Sequence, residues 1–277
     1  MNPKTAALRS HIETVLAGRL TNPFTYQAPQ TPETVPFGVP ALDRLTGGLP
    51  RGCLTEVYGP PCSGRASVLN TVLASRTAAL EVCALVDASD SFDPEFAEAA
   101  GVRLQHVLWV RCRNADQALR ASDVLIQGSG FGLIVLDLSG IPSRVARSIP
   151  LPVWFRFRRS VEYTPTALLV LAQESNAKSC ASLVLRLERQ EISWSQTTGS
   201  TESIAPPHTL GLLLDGWKGS AQIIRSRSGQ QGHRPSPRAN TVSINAGEDS
   251  TDFAMQVRWI SRNLPSRKTS GIKRRKK

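Results

Sequence analysis

Leu54-Thr55-Glu56-Val57-Tyr58-Gly59-Pro60-Pro61-Cys62-Ser63-Gly64-Arg65-Ala66-Ser67 is the stretch that decides the fold. A short, largely apolar run ends on Gly59, and a second glycine, Gly64, opens a segment of helix-compatible spacing from Arg65 to Leu80. Strand, glycine-bounded turn and helix in that order form the setting of a phosphate-binding loop. In such a loop backbone N–H groups curl around an anion at a helix N-terminus, and here Gly59, Pro60, Ser63 and Gly64 would shape the turn. The pattern G-x-x-x-x-G is kept, but the Lys-[Ser/Thr] that normally follows is not. Arg65 brings a planar fork where a compact point charge is usual. Ala66 has no hydroxyl for a magnesium ion, and Ser67 is the nearest substitute. The same residues also suit a Gly-Pro turn with no ligand.

Outward from this stretch the pattern repeats. Val82–Val86, Val107–Arg111, Leu133–Leu138, Ala167–Ala172 and Leu183–Leu187 are short runs too apolar for one-sided strands, and they read as buried parallel strands. Asp93–Ala100, Ala115–Gln127 and Val153–Tyr163 between them have helical spacing, which predicts an α/β sheet covered on both faces. Past Leu187 the order weakens. Thr209–Leu214 and Ala221–Arg225 suggest two further strands, and Ser226–Asn240 is rich in Gly, Pro, Ser and Arg. Ahead of the core, Leu8, Ile12, Val15, Leu16 and Leu20 share one face of a helix over residues 5–20, and the five prolines between Thr21 and Pro40 read as an extended linker.

The chain has 277 residues, 40% of them hydrophobic and 20% charged, and a net charge of +11. That composition excludes fibrous and globally disordered classes. Five scattered cysteines without a C-x-x-C pair argue against a zinc ribbon or a disulfide framework, and no apolar run approaches a membrane span, so a cytoplasmic, nucleoid-associated protein is expected. The charge is uneven. Residues 138–161, 216–247 and 267–277 carry 17 basic residues and no acid, which leaves −6 on the remainder. A polyanion is the natural partner for such stripes. The last, ending Lys273-Arg274-Arg275-Lys276-Lys277, reads either as a DNA tether or as a solvated, disordered tail.

Two longer blocks carry a family resemblance. Pro36-Phe37-Gly38-Val39-Pro40-Ala41-Leu42-Asp43-Arg44-Leu45-Thr46-Gly47-Gly48-Leu49-Pro50-Arg51-Gly52, with Glu56-Val57-Tyr58-Gly59-Pro60 after it, resembles the start of the RecA recombinase core. So does Leu85-Val86-Asp87-Ala88-Ser89-Asp90-Ser91-Phe92-Asp93-Pro94-Glu95-Phe96-Ala97, and Leu136-Asp137 and Ala172-Gln173 follow in order. The resemblance implies a RecA-like P-loop NTPase core with a mostly parallel sheet over 36–228. It is preceded by an N-terminal helix and linker (1–35) and followed by a low-complexity, basic segment (229–277). It further implies that ATP and Mg²⁺ are the cofactors, with Asp93 and Phe96 at the adenine and Asp137 orienting Mg²⁺ together with Ser67. Gln173 would sense the terminal phosphate, and Arg225 and Arg227 would reach a neighbour's phosphates.

The departures from that family are as informative. Ser89 stands where the catalytic Glu is expected, and a hydroxyl is too short and too weakly basic to activate water. Asp90 beside it points to the other side of a strand end. Together with Arg65 and Ala66 this argues for weak or absent ATP hydrolysis. The first DNA loop is short but holds Arg144 and Arg147, and the helix after it has Arg156, Arg158 and Arg159 among Trp154, Phe155 and Phe157. Basic residues interleaved with aromatics suit single-stranded DNA, although the aromatics also suit a core face. The second DNA loop is cut back to Glu174–Cys180. These losses resemble the ImuA-type branch, which implies an accessory role in damage-induced mutagenesis and translesion synthesis beside a polymerase-like partner. An active strand-exchange recombinase and a scaffold regulating cell division are the alternatives. The N-terminal helix could mediate contact with RecA or self-association.

Overall fold

The structure, a computed structural model, describes residues 32–196, 212–227 and 250–256. Its strands arise where the apolar runs lie. β1 (Thr34–Val35) pairs with β2 (Leu49–Pro50) on either side of α1 (Pro40–Thr46). Then come β3 (Leu54–Tyr58), α2 (Arg65–Ala78), β4 (Cys83–Asp87), α3 (Pro94–Ala99), β5 (Val107–Arg111), α4 (Ala115–Gly128) and β6 (Leu133–Asp137). α5 (Ser143–Arg147), α6 (Leu151–Val161), β7 (Ala167–Ala172), β8 (Leu183–Gln196), β9 (Leu212–Ser226) and β10 (Ser250–Gln256) complete the described chain.

The main sheet has the order β10-β9-β8-β3-β7-β6-β4-β5. Its pairs from β8 to β5 are parallel, as buried apolar strands predict, and β9 and β10 extend it antiparallel. Alternate residues of each parallel strand feed opposite faces. Leu85, Val135 and Leu169 meet Val68, Val72 and Leu73 of α2 and Phe37 and Leu42 on one side. Val86, Ile134, Leu136 and Leu168 meet Leu119 and Ile126 of α4 and Trp154 and Phe157 of α6 on the other. This is the RecA-like α/β core, a mostly parallel sheet flanked by helices.

Three expectations change. The chain joins the core at Thr34, two residues before the boundary expected at Pro36, and the end of the proline-rich stretch from Thr21 to Pro40 belongs to it, because Val35, Phe37 and Val39 are buried. The strand expected at Leu183–Leu187 runs on to Gln196, and of the two weak strand signals after it, Ala221–Arg225 and the described part of Thr209–Leu214, from Leu212 on, lie in a single strand, β9. Polar and charged residues such as Glu188, Arg189, Gln190 and Glu191 hid the extension, because an exposed antiparallel hairpin needs no apolar run. β10, inside the segment expected to be low-complexity, pairs with β9 from Ser250↔Gln222 to Gln256↔Gly216. The N-terminal helix, most of the linker and the basic tail, Lys273 to Lys277 included, lie outside the described residues.

Candidate phosphate-loop site and basic surface

The turn between β3 and α2 sits at the C-terminal end of the parallel strands, one strand (β7) away from Asp137 at the end of β6. The Gly59 N–H donates to Ala172 O at 3.3 Å and the Ser63 N–H to Pro60 O at 3.2 Å. Cys62 takes φ 61° and Gly64 φ 94°, so the turn holds a side-chain-bearing residue in the left-handed region that glycine prefers. α2 opens on Gly64 without a side-chain cap, which leaves first-turn N–H groups for whatever fills the turn.

A cleft of about 390 Å³ opens on this turn. Its wall combines Ser63, Gly64, Arg65, Ala66 and Ser67 with Asp137 and Ser91, and also with Arg189, Ile192 and Trp217 from the β8–β9 hairpin. Ser63 and Arg65 are 0% and 8% exposed, and neither Ser63 Oγ nor Arg65 Nη1 has a hydrogen-bond partner. Buried polar atoms without partners are rare, and these two have the donor chemistry to bind an anion. Burial holds the Arg65 guanidinium below its usual range, an effect that Asp137 partly offsets. Burial also pushes the Asp137 carboxyl up, against hydrogen bonding from Ser139, whose N–H donates to Oδ1 at 2.8 Å.

The fit to a nucleotide's phosphates is therefore better than the fit to a divalent cation. Asp137 and Ser67 share the cleft wall as expected. However, one oxygen of Asp137 is already engaged, and among the described residues no cluster of three His, Cys, Asp or Glu could hold a metal.

Asp87, fully buried in β4, shapes the neighbouring loop. Its Oδ1 accepts from the Ser89 N–H at 3.0 Å, and its Oδ2 accepts from the Ser91 and Phe92 N–H groups, each at 2.9 Å. The Ser89 hydroxyl lies 3.4 Å from Asp87 Oδ1 and 3.1 Å from Ser91 Oγ, and it is Ser91, not Ser89, that reaches the cleft wall. The Asp90 carboxylate is held by Arg111 Nε and Nη2 at 2.6 and 2.5 Å. Asp93 Oδ1 caps α3 by accepting from the Glu95 and Phe96 N–H groups. Phe96 is half exposed, and neither it nor Asp93 lines the cleft.

Gln173 joins two elements. Its Nε2 donates to Ser139 O at 2.9 Å and its Oε1 accepts from Ser143 Oγ at 3.4 Å, which ties β7 to the connection that leads into α5. It also borders a depression beside Gly59 and Pro60.

The expected DNA-facing arginines divide into groups. Arg144 and Arg147 are exposed on α5, and Arg147 lies 3.4 Å from Glu174. Arg156 pairs with Asp123 at 3.0 Å, and Arg159 is exposed on α6. Base stacking by Trp154 and Phe157 is excluded, because both are fully buried and pack edge-to-face with centroids 6.2 Å apart. Their i, i+3 spacing put them on the core face of α6, so only the half-exposed Phe155 is free to stack.

Arg158 joins a different cluster. It lies with Arg225 and Arg227 near Cys180, whose thiol is raised by burial and drawn back down by all three cations. Arg225 also donates to the Lys178 carbonyl, and the Arg227 N–H donates to Ser182 O at 2.8 Å. Two basic segments distant in sequence thus act on one buried thiol. Arg225 is eight residues along β9 from Trp217, or about 26 Å at strand rise. Neither Arg225 nor Arg227 lines the cleft at the phosphate loop of its own chain.

Sequence reasoning missed the hairpin wall of the cleft. Gly216-Trp217-Lys218-Gly219 was its available signal, since glycines within a strand mark close approach of another group.

The family profile of the RecA N-terminal domain matches residues 23–145, which include the phosphate loop and Asp137 but neither β8 nor β9. A RecA protein of Cutibacterium acnes is 39% identical over 105 residues, 37% of this chain and 30% of that protein. RecA proteins of Tropheryma whipplei and Methylococcus capsulatus are each 38% identical over 107 residues, 38% of this chain and 24% and 31% of theirs. The chain thus spans less than a third of the length of these relatives. Among the described residues no helix is long and apolar enough to cross a membrane.

Proposed function

The chain is a member of the RecA-like superfamily, and on that premise we propose that it is a DNA-damage-response accessory protein of the ImuA type. It binds DNA and a polymerase-like protein partner, and it hydrolyses ATP poorly or not at all. One observation carries the reading: the phosphate loop keeps its fold, but the cation meant for the terminal phosphates is buried at Arg65 beside Asp137.

Bound ATP would place its phosphates against the N–H groups of residues 63–67, with Arg65 and Ser63 Oγ as side-chain donors. Mg²⁺, where bound, neutralises charge on phosphate oxygens, and Asp137 and Ser67 are the residues to hold it. The water-activating step is what the site lacks. Ser89 is turned into hydrogen bonds with Asp87 and Ser91, and Asp90 is committed to Arg111. Ser89 itself has no basic group to take a proton.

For DNA, the supporting features are the exposed Arg144, Arg147 and Arg159, the cluster of Arg158, Arg225 and Arg227, and the basic tail. Cations of this kind bind the phosphate backbone without reading sequence. The test is phosphate release with and without single-stranded DNA, beside DNA binding measured across a salt series. Salt-sensitive binding without DNA-stimulated turnover supports the accessory role.

A second reading, an active recombinase, is favoured by the names of the matched relatives, all called RecA. DNA-stimulated turnover abolished by Arg65→Ala would establish it and remove the first.

A further inference from the structure

The phosphate loop is covered by a side chain that the family profile does not include. The six-membered ring of Trp217 lies directly over Gly64: a Cβ on that glycine would come within 1.9 Å of the ring's Cη2 and 2.3 Å of Cζ2. The same ring also lies against Gly219, where a Cβ would meet Cζ3 at 2.5 Å. Its ring meets Phe253 of β10 edge-on at a centroid distance of 5.2 Å. Two glycines and an aromatic edge therefore make a fitted seat for this indole. The seat is built from three elements that come together only because β9 pairs with β8 and β10 at this height, with Trp217 opposite Ile192 and Met255.

We propose that Trp217 gates the phosphate loop and decides what the loop can hold. The indole and a nucleoside triphosphate lying on the backbone at Gly64 compete for one space, so triphosphate binding requires the ring to leave its seat. This inference rests on the reading of the loop as a nucleotide site. Ser63 Oγ and Arg65 Nη1, buried without partners in residues that line the same cleft, are the groups that an entering phosphate would engage.

The gate makes nucleotide affinity a product of intrinsic affinity and the fraction of molecules with the ring displaced. Removing the ring therefore tightens binding instead of weakening it, which is the opposite of what deleting a stacking contact does.

The experiment is calorimetric titration of the full chain with Mg-ATP, comparing wild type with Trp217→Ala and Trp217→Leu. The leucine variant keeps an apolar side chain against Phe253 but is too short to cover Gly64, so it answers the question if the alanine variant folds poorly. The expected result is a Kd lower by about tenfold or more, as for a gate open in about a tenth of molecules, and lost again when Arg65→Ala is added. Equal or weaker binding by the variants, with measurable wild-type binding, overturns the gate and leaves the nucleotide site standing. No binding by any of the proteins overturns both.

Discussion

The carboxylate of Glu56, fully buried in β3, accepts the backbone N–H of Asn176 at 2.5 Å and that of Ala177 at 3.0 Å, and the Ser175 hydroxyl adds a third bond at 2.7 Å. One side chain of the central strand thereby fixes the shortened loop that follows Gln173. Glu56→Ala strands three donors, and a loss of about 3 kcal/mol is expected, since hydrogen bonds to charged groups contribute about 1.5–3 kcal/mol and buried donors left unpaired cost more. Glu56→Gln keeps an acceptor for the two N–H groups and should cost about 1 kcal/mol. Urea unfolding measures both, and equal losses in the two variants would show that packing rather than the bonds holds the loop.

Trp154 and Phe155 are adjacent in sequence and opposite in environment, the first fully buried and the second 43% exposed. Trp154→Ala is expected to cost about 3–5 kcal/mol of stability, the range for deleting a large buried aromatic. Phe155→Ala should stay within about 0.5 kcal/mol of wild type, as surface changes do. If α6 meets single-stranded DNA, Phe155→Ala alone of the two lowers DNA affinity in a folded protein, by about 1–3 kcal/mol for a stacked base. Thermal melts paired with fluorescence-anisotropy titrations separate the two effects.

The cluster around Cys180 gives the DNA reading a position-specific test. Arg158→Ala with Arg227→Ala should reduce the slope of log K against log salt by about 0.7 for each lost contact to single-stranded phosphate. Arg156→Ala should do less, because Arg156 is already paired with Asp123. Unchanged slopes in the double variant would remove these two arginines from the DNA interface.

Much of this was legible in the residues. The parallel strands were found because burial on both faces writes continuous apolar runs, and the turn at Gly59 to Gly64 because only a few sequences suit a strand–turn–helix of that shape. The β8–β9–β10 extension was legible only in part, because an exposed hairpin of Glu188, Arg189, Gln190 and Glu191 has the composition of a loop. With it went the wall of the cleft. No local pattern states that Trp217 lies over a glycine more than 150 residues earlier, since such contacts follow from register rather than propensity. The meeting of Arg158 with Arg225 and Arg227 was hidden for the same reason. Trp154 and Phe157 were a different case: their spacing was visible, but it suited a core face and a stacking face equally until burial decided it.

Placing a carboxylate at position 89 is the direct test of the proposal that the site has no water-activating group. Ser89 packs so closely on Gly140 that a Cβ on the glycine would lie 2.3 Å from Ser89 Cβ. The hydroxyl of Ser89 also helps to order the turn around Asp87. Ser89→Glu alone is therefore expected to leave phosphate release within about twofold of wild type, because Arg65, Ala66 and the covered loop still withhold the positioning on which phosphoryl transfer depends. A gain of about a hundredfold or more, the scale of general-base catalysis, would show that the loop is competent and that only the base was lost.

The protonation of Asp137 decides whether it is ready to hold a cation. Burial raises its folded pKa above the unfolded value, so between the two the folded state binds more protons and stability falls as pH rises. Below the unfolded value, about pH 3.9, both states are protonated and the penalty disappears. Asp137→Asn removes the ionisation while its amide oxygen still accepts the Ser139 N–H. The stability of Asp137→Asn relative to wild type should therefore increase as pH rises above about 4 and level off once the folded-state carboxyl has ionised, as followed by urea unfolding at each pH. If Arg65 instead held the carboxylate ionised, the folded pKa would be depressed and the relative stability of the variant would fall as pH rises. The sign of that slope distinguishes a buried acid that must be stripped of its proton before it can meet Mg²⁺ from one already charged for the task.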